Sequence, residues 1–444
     1  MKKYIFSLLC LLAFGMTSCD SFLDIQPVGK VIPKTDDEFR ALLAKAYNTI
    51  PRDRGMANFR SDEMQVADNQ YDLNSYGYLQ IWDDNSIKTS DVHFDWKNYY
   101  HVIYIANEVI DNGSTIQSKD PAVVNQLIGE AYLLRAYMHF LLVNLHGQPY
   151  SVDGASNAKA IPLILDTDTE KVRYRNTVGE VFDAVLKDIN TASEYINVEK
   201  WEDKFSYRFN TTTVDAMKAR VSLYMNNWKD ALAAAESVMK ADYKLVELTG
   251  EKPVLPNHYT SSENINAAEF VMSNPVNYAT VLRPEFVALY AEDDLRLNQY
   301  FSQPDEETGL RKSIKGGKNE FNCSFRLGEV VLTAAEAAAQ LNELDKAKKF
   351  LLQLVNKRYT AEGIARVKTD ISKFSQKDLL QFIYDERARE LALEGHRWFD
   401  LRRTTRPEIK KVVEGETYIL KQNDTRYTIP IPREAIQANP NLNL

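Results

Sequence analysis

The chain has 444 residues, 44% apolar and 26% charged, with a formal net charge of −8. That length allows a large core in one big domain or two, and the composition is that of a globular protein. The acidic balance argues against nucleic acid as a partner, because phosphate binding wants a basic face.

Met1-Lys2-Lys3 leads into a twelve-residue apolar stretch, Tyr4 to Gly15, and then Met16-Thr17-Ser18-Cys19. A basic start, a short apolar core and small residues before a cysteine form a bacterial lipoprotein signal. Twelve residues rise about 18 Å as helix, too short for the ~30 Å hydrocarbon core. Residues 1–18 are therefore expected to direct export and be removed. Cys19 would then carry the acyl groups that anchor the chain in a membrane. Residues 19–34 read as a polar tether. Of the other cysteines, Cys10 falls in the removed segment and Cys323 is left alone, so no disulfide or cysteine-based zinc site is expected. The six histidines form no HExxH or His-x-His pattern. No metal and no cofactor is expected.

Most of the rest reads as helix. Thr35-Asp36-Asp37-Glu38 is a capping box opening a helix to about Ile50, stopped by Pro51. Residues 52–90 are polar and aromatic without a sustained period, which predicts a long loop. Asp91 to Asn112 reads as helix ending at Gly113. Asp120-Pro121 is an N-cap followed by proline at the first helical position, starting a helix to His146. Residues 148–176 are loop. Thr177-Val178-Gly179-Glu180 is a second capping box; Val178, Phe182, Val185, Ile189, Ala192 and Ile196 then recur at helical spacing. Helices follow near Thr212–Asn226 and Lys229–Ala241. Residues 242–325 read as loop and short strand with one helix near 284–291. Glu329–Asn342, Asp345–Arg358 and a long charged helix Ser375–Thr404 come next. Thr417–Leu420 and Tyr427–Ile431 are β-prone.

Two helix pairs look alike. Ala219 to Ala231 aligns with Ala335 to Ala347: a first helix, a short polar turn, a large apolar residue, two charged residues and alanine. This is the tetratricopeptide pattern, in which small residues let two helices approach closely. The copies are not in tandem, so a regular solenoid is not expected. The predicted fold class is all-α, with tetratricopeptide-like helix pairs, long irregular insertions and a few short strands.

Several further motifs follow one another along the chain. They are Cys19-Asp20-Ser21-Phe22-Leu23-Asp24; Trp96 to Tyr100 leading to Ala106-Asn107; Leu134-Arg135-Ala136 through Gly147 and Pro149; and Arg173, Thr177-Val178 and Asp188-Ile189. In the C-terminal half they are Arg326 to Leu332 with Ala335-Glu336-Ala337, the signature stretch Glu386 to Arg403, and Ile429 to Leu442. In this order they resemble the SusD/RagB family of outer-membrane lipoproteins of Bacteroidetes-type bacteria. The resemblance implies a helical body over 35–444, with an N-terminal part to about 210 and a C-terminal part from 211. It implies four tetratricopeptide-like pairs and a non-enzymatic, surface-exposed, outer-membrane role in glycan uptake. The implied partners are an oligosaccharide and a SusC-like TonB-dependent transporter. The alternative is a scaffold lipoprotein that binds a peptide or only its transporter, without a sugar site.

Glu386, Glu390 and Glu394 recur every four residues, and paired carboxylates can hydrolyse glycosides. The same stretch holds Arg387, Arg389, Arg397, Arg402 and Arg403, so ion pairs such as Glu386–Arg389 and Glu394–Arg397 are expected instead. Trp96, Trp228 and Trp398 read as core, and Trp201 as ambiguous. Trp82 lies in the predicted 52–90 loop with Tyr71, Tyr76 and Tyr78. A ring-rich loop on a rigid scaffold is where a ligand surface is expected, because ring faces stack on sugar C–H faces. Asn277 and Tyr278 are expected to form the opposite wall. No catalytic residue is assigned.

Overall fold

A computed structural model describes residues 33–84, 94, 96–250 and 253–443. The predicted signal segment, Cys19 and all but the end of the tether lie outside the described residues, as do 85–93.

The long helices are α1 (Asp36–Thr49), α2 (Gln70–Gln80), α3 (Trp96–Asn112), α4 (Pro121–His146), α5 (Val178–Tyr195), α6 (Thr211–Tyr224), α7 (Trp228–Val238), α8 (Leu327–Gln340), α9 (Leu344–Arg358), α10 (Ala361–Ser372) and α11 (Gln376–Glu390). The predicted caps are in place. Thr35 and Thr177 each accept from the backbone N–H three residues on, and Glu38 and Glu180 return the bond. Asp120 caps α4 with Pro121 at its first position.

The helices pack as pairs: α1 with α3, α4 with α5, α6 with α7, and α8 with α9. Helix α8 also packs on α7 and α11, linking the last two pairs and the signature region. The two aligned repeats end their first helices identically. Asn226 and Asn342 both sit in the left-handed region, at φ 58° and 62°. In the first, Asn226 N–H donates to Leu223 and Asn227 N–H to Ser222; in the second, Asn342 donates to Ala339 and Glu343 to Ala338. That is the Schellman pattern, which satisfies the last helical carbonyls. Ala231 and Ala347 are fully buried where the second helices cross the first.

Motif residues far apart in sequence meet in the core. Arg135 on α4 makes two bonds to Asp188 on α5 (2.7 and 2.8 Å) and one to Asn107 on α3 (2.8 Å). Three helices are thus pinned by one guanidinium fork. Arg220 on α6 similarly holds Glu329 on α8 (2.6 and 2.7 Å).

Three predictions need correction. The 52–90 stretch is not one loop: it contains a short helix (Asp53–Ala57), the strand β1 (Met64–Val66) and α2. Its period is hidden because α2 buries only Tyr76, Gly77, Leu79 and Gln80, all toward one end. The Ser375–Thr404 helix is broken: α11 stops at Glu390, and a turn with Leu393 and Gly395 at positive φ leads to α12 (Arg397–Arg403). Gly395 is required there, since a Cβ would lie 2.8 Å from Val271 and 2.9 Å from Arg54. The segment Tyr427–Ile431 is not a strand; Ile429 N–H instead donates to Leu145 at the end of α4.

The remaining strands, β2 (Asn264–Asn266), β3 (Thr280–Leu282), β4 (Phe325–Arg326), β5 (Ile409–Val413) and β6 (Glu416–Leu420), form two-stranded antiparallel ladders β1–β3, β2–β4 and β5–β6. Glu414 and Gly415, both at positive φ, make the two-residue turn of the β5–β6 hairpin.

Candidate functional site

The β1–β3 ladder sets the geometry of the ring-rich region. Met64 faces Leu282 and Val66 faces Thr280, and the pairing is extended by Ala67 N–H donating to Ala279 (2.7 Å). Beyond that bond the two chains diverge into exposed elements. On one side Asn69 caps α2 by accepting from Asp72 N–H (3.0 Å), which leaves Tyr71 in the exposed first turn. On the other a five-residue helix, Asn274–Tyr278, ends in Tyr278. Tyr71 is 79% exposed and Tyr278 70%, the highest values among the large apolar side chains described. The two predicted walls thus emerge from one ladder.

Asn277, half-buried, is enclosed from below by the loop at Gly316 and Gly317. A Cβ on Gly317 would lie 2.9 Å from its Nδ2, and Gly317 is at φ 77°, so only glycine suits that approach. The Asn277 Oδ1 is buried without a hydrogen-bond partner. That oxygen is packed over Gly316, where a Cβ would lie 2.6 Å from it, so Asn277 fixes the helix onto the loop beneath and its oxygen is turned away from solvent.

The other three predicted residues are placed differently. Tyr76 is buried and stacks on Phe59 at 5.2 Å; burial, with Asp72 nearby, pushes its phenol pKa up. Tyr78 is half-buried, its pKa also raised mainly by burial. Trp82 is only 2% exposed, and its Nε1–H donates to the Arg60 carbonyl (2.9 Å). It sits at φ 56°, an unusual conformation for a bulky residue. It ends α2 in the same Schellman pattern as Asn226, with Trp82 N–H donating to Leu79 and Asp83 N–H to Tyr78. Trp82 is therefore a pillar under the ledge rather than part of its surface. Of the remaining tryptophans, Trp96 and Trp398 are buried, Trp228 is half-buried against the core, and Trp201 is half-buried with its Nε1–H on Phe209 O.

The carboxylates of the signature stretch take another course. Glu386 contacts Arg296, Arg389 and the Tyr359 hydroxyl at 2.6–2.9 Å. Glu390 contacts Arg326 (2.6 Å), Arg358 (2.8 Å) and Arg296 (3.1 Å). Glu394 lies beyond the end of α11 and pairs with Lys315 (2.6 Å) and Arg326 (2.7 Å), not with the expected Arg397, which holds Asp62 (2.7 Å). Glu263 and Asp294 complete the cluster through Arg358 and Arg296. Five cations thus face five carboxylates, all but enclosed from solvent. Burial pushes the Glu390 pKa up, but Arg358 and Arg326 more than reverse it and hold it well below the usual range. Glu386 and Glu394 are likewise held low. A glycosidase acid needs the opposite, a carboxyl kept protonated beside a cleft.

Comparison with known proteins settles the relationship. Residues 21–223 match a family described as starch-binding associating with outer membrane, and residues 295–443 match the SusD family. The chain belongs to the SusD/RagB family. A SusD-like protein of Formosa agariphila, P38, is 24% identical over 94% of each chain. A SusD superfamily protein of Bacteroides thetaiotaomicron superposes with a TM-score of 0.78 at 21% identity, covering 92% of this chain and 99% of that one. A laminarin-binding SusD-like protein superposes at 0.62 with 18% identity, covering 84% and 92%. The SusD motifs named from the sequence supply the Arg135 junction and half of the ten-charge cluster, namely Arg326, Glu386, Arg389, Glu390 and Glu394. They mark how this SusD-family body is held together. The exposed Tyr71–Tyr278 ledge is carried by the segments between them. No described helix is long and apolar enough to cross a membrane.

Proposed function

We propose that this SusD-family chain is a lipid-anchored outer-membrane protein that binds an oligosaccharide on the Tyr71–Tyr278 ledge without catalysis. It passes the sugar to a SusC-like TonB-dependent transporter. The observation that carries the reading is the emergence of the two most exposed large apolar rings from the two strands of one ladder, with the half-buried Asn277 next to Tyr278. Ring faces cover sugar C–H faces. The solved relative that binds laminarin supports carbohydrate as the ligand class. The lipid anchor at Cys19 rests on the signal pattern ahead of it. A single body from residue 35 onward, with parts 35–210 and 211–444, is supported by bonds between the two parts, such as Arg397–Asp62 and Leu393 N–H to Glu63.

Binding through two rings and a few hydrogen bonds fits a Kd from about millimolar to micromolar, roughly −4 to −8 kcal/mol. Such weakness suits a protein that must release its cargo. The test is a neutral-glycan array followed by calorimetric titration of the best ligand. Tyr278→Ala is expected to weaken binding at least about tenfold, ~1.4 kcal/mol, with an unchanged unfolding midpoint. Equal affinity in the variant would remove the ledge from the site.

A further inference from the structure

A cavity borders the Asp424–Tyr427 segment, whose Arg426 carbonyl accepts from the Arg60 guanidinium (2.7 Å). It has a volume of about 630 Å³ and opens between the loop after α4 and the C-terminal segment. Its walls carry three cationic side chains, Lys159, Arg175 and Arg406. One carboxylate, Asp424, also lines it, but that group is already engaged by Arg426 at 2.8 Å.

Arg406 is bonded to neutral oxygens only, those of Asn423, Ser151 and Arg402. Among the described residues, Lys159 and Arg175 make no ion pair and no side-chain hydrogen bond within bonding distance, Lys159 feeling only the longer-range charge of Glu180, and the Arg175 Nε is buried without a partner. That contrasts with guanidiniums such as Arg135 and Arg326, which are saturated by carboxylates. Arg406 forms no ion pair either. It is bonded through Nε to Asn423 Oδ1 (3.0 Å), and its φ of 41° lies in the left-handed region. Two backbone bonds hold it there, Arg406 N–H to Leu401 and Asn423 N–H to the Arg406 carbonyl. A non-glycine residue kept in that region costs about 1–2 kcal/mol, and such outliers persist where the surroundings over-determine them.

A fourth cation stands behind the wall. Arg402 is buried and meets only carbonyls, those of Tyr427 (2.9 Å), Asn144 and Gly147 (2.6 Å). Burial, with Arg60 and Arg406 nearby, pushes its pKa down to about 9. A buried charge without a counter-charge is costly, so a negative group in the adjoining cavity is favoured. In a chain of net charge −8, this concentration of unpaired positive charge in one concavity is local and specific.

We infer that this cavity is a binding site for an oxyanion, a carboxylate or a sulfate-type group borne by a small soluble molecule. Arg175 supplies a planar fork that matches either geometry, and Lys159 a mobile point charge. The site is separate from the Tyr71–Tyr278 ledge and does not depend on it.

The test uses the full chain and two probes, inorganic sulfate and glucuronate, titrated against chloride and glucose at matched ionic strength. Binding is read by calorimetry and by the shift of the thermal midpoint. Saturable binding of either probe is expected, weakened at least about tenfold in Arg175→Gln and further in Arg175→Gln/Lys159→Gln. Arg175 has no side-chain bond to lose and Lys159 only a longer-range attraction to Glu180, so both variants are expected to fold. Sulfate binding alone assigns a tetrahedral anion, and glucuronate binding alone a carboxylate. Absence of saturable binding with both probes, or equal binding in wild type and Arg175→Gln, overturns the site. Because the readout is direct, it stands or falls independently of neutral-glycan binding at the ledge.

Discussion

The Glu386–Glu394 cluster and the Tyr71–Tyr278 ledge hold polar groups in opposite ways. In the cluster every carboxylate faces at least one cation within 3.1 Å and water is excluded. On the ledge two tyrosines stand in solvent. Polar groups satisfied inside a protein fix its shape, while those left open at a surface are free to bind. The charge-dense region is thus architectural, and the ligand surface proposed above lies in the charge-poor one.

The strongest way to break that contrast is to remove one member from each region. Glu390→Gln leaves Arg358, Arg326 and Arg296 short of a counter-charge inside the protein. Breaking a buried ion pair costs about 3–5 kcal/mol. Urea unfolding is expected to show that loss, with glycan affinity of the folded fraction unchanged. Loss of affinity at unchanged stability would move the cluster into the binding site. Trp82→Ala is expected to cost a similar ~3–5 kcal/mol, because a buried indole and its bond to Arg60 are lost. A Trp82→Ala variant with wild-type stability but weaker binding would return the indole to the ledge.

Acid should act on the interior before it reaches the ledge. Burial lowers the pKa of His139 to about 3 and of His146 to about 4, and His396 also lies well below 6.5. The unfolded chain takes up protons on these rings below about 6.5, and the folded chain does not. Stability is therefore present in full above that pH and falls as pH drops through it. Glu63 pulls the other way: burial raises its pKa to about 8, so the folded state holds a proton that the unfolded state releases above 4.5. Three histidines outweigh that one carboxyl. The carboxylates of the cluster, held below 4.5, add to the loss only as pH falls below that value. Urea midpoints between pH 7 and about pH 5 are expected to decline. A flat profile would mean that the rings are not enclosed as described.

Within the ledge a paired comparison gives a smaller effect. Tyr71→Ala removes an exposed ring and is expected to leave stability unchanged while weakening glycan binding severalfold. Tyr76→Ala, five residues on, removes a ring stacked on Phe59 and should cost about 3 kcal/mol of stability. Circular dichroism melts and titrations on the same two variants separate the roles. Equal melting temperatures would dissolve the distinction between ledge and pillar.

How much of this was legible depended on range. Caps and repeats are local, so Thr35, Asp120, Thr177 and the Asn226/Asn342 alignment could be read directly. The family motifs gave the residues of the Arg135 junction but not that they touch. The helix break at Leu393–Gly395 was hidden because Leu393 carries no breaker signal, and the fit of Gly395 against Arg54 is a long-range contact. Tyr71 and Tyr78 differ in exposure although seven residues apart they share one face of α2, because burial along that helix is set by what packs on its far end. The cationic cavity was invisible: Lys159, Arg175 and Arg406 are scattered singly, and no local pattern gathers them.

The smallest predicted effect tests the repeat itself. Asn226 and Asn342 are both exposed and make no side-chain bond among the described residues, so replacing them removes no packing. What changes is the cost of a left-handed backbone, which asparagine tolerates better than alanine. Asn226→Ala and Asn342→Ala are each expected to lower stability by about 1 kcal/mol, while the glycine variants change it by only a few tenths. If the turns are equivalent copies, the two alanine costs agree and add in the double variant, since distant sites are independent. A cost at Asn226 with none at Asn342 would mean that the turn before α9 is held by its neighbours rather than by its own backbone, and the likeness of the two pairs would be one of pattern alone.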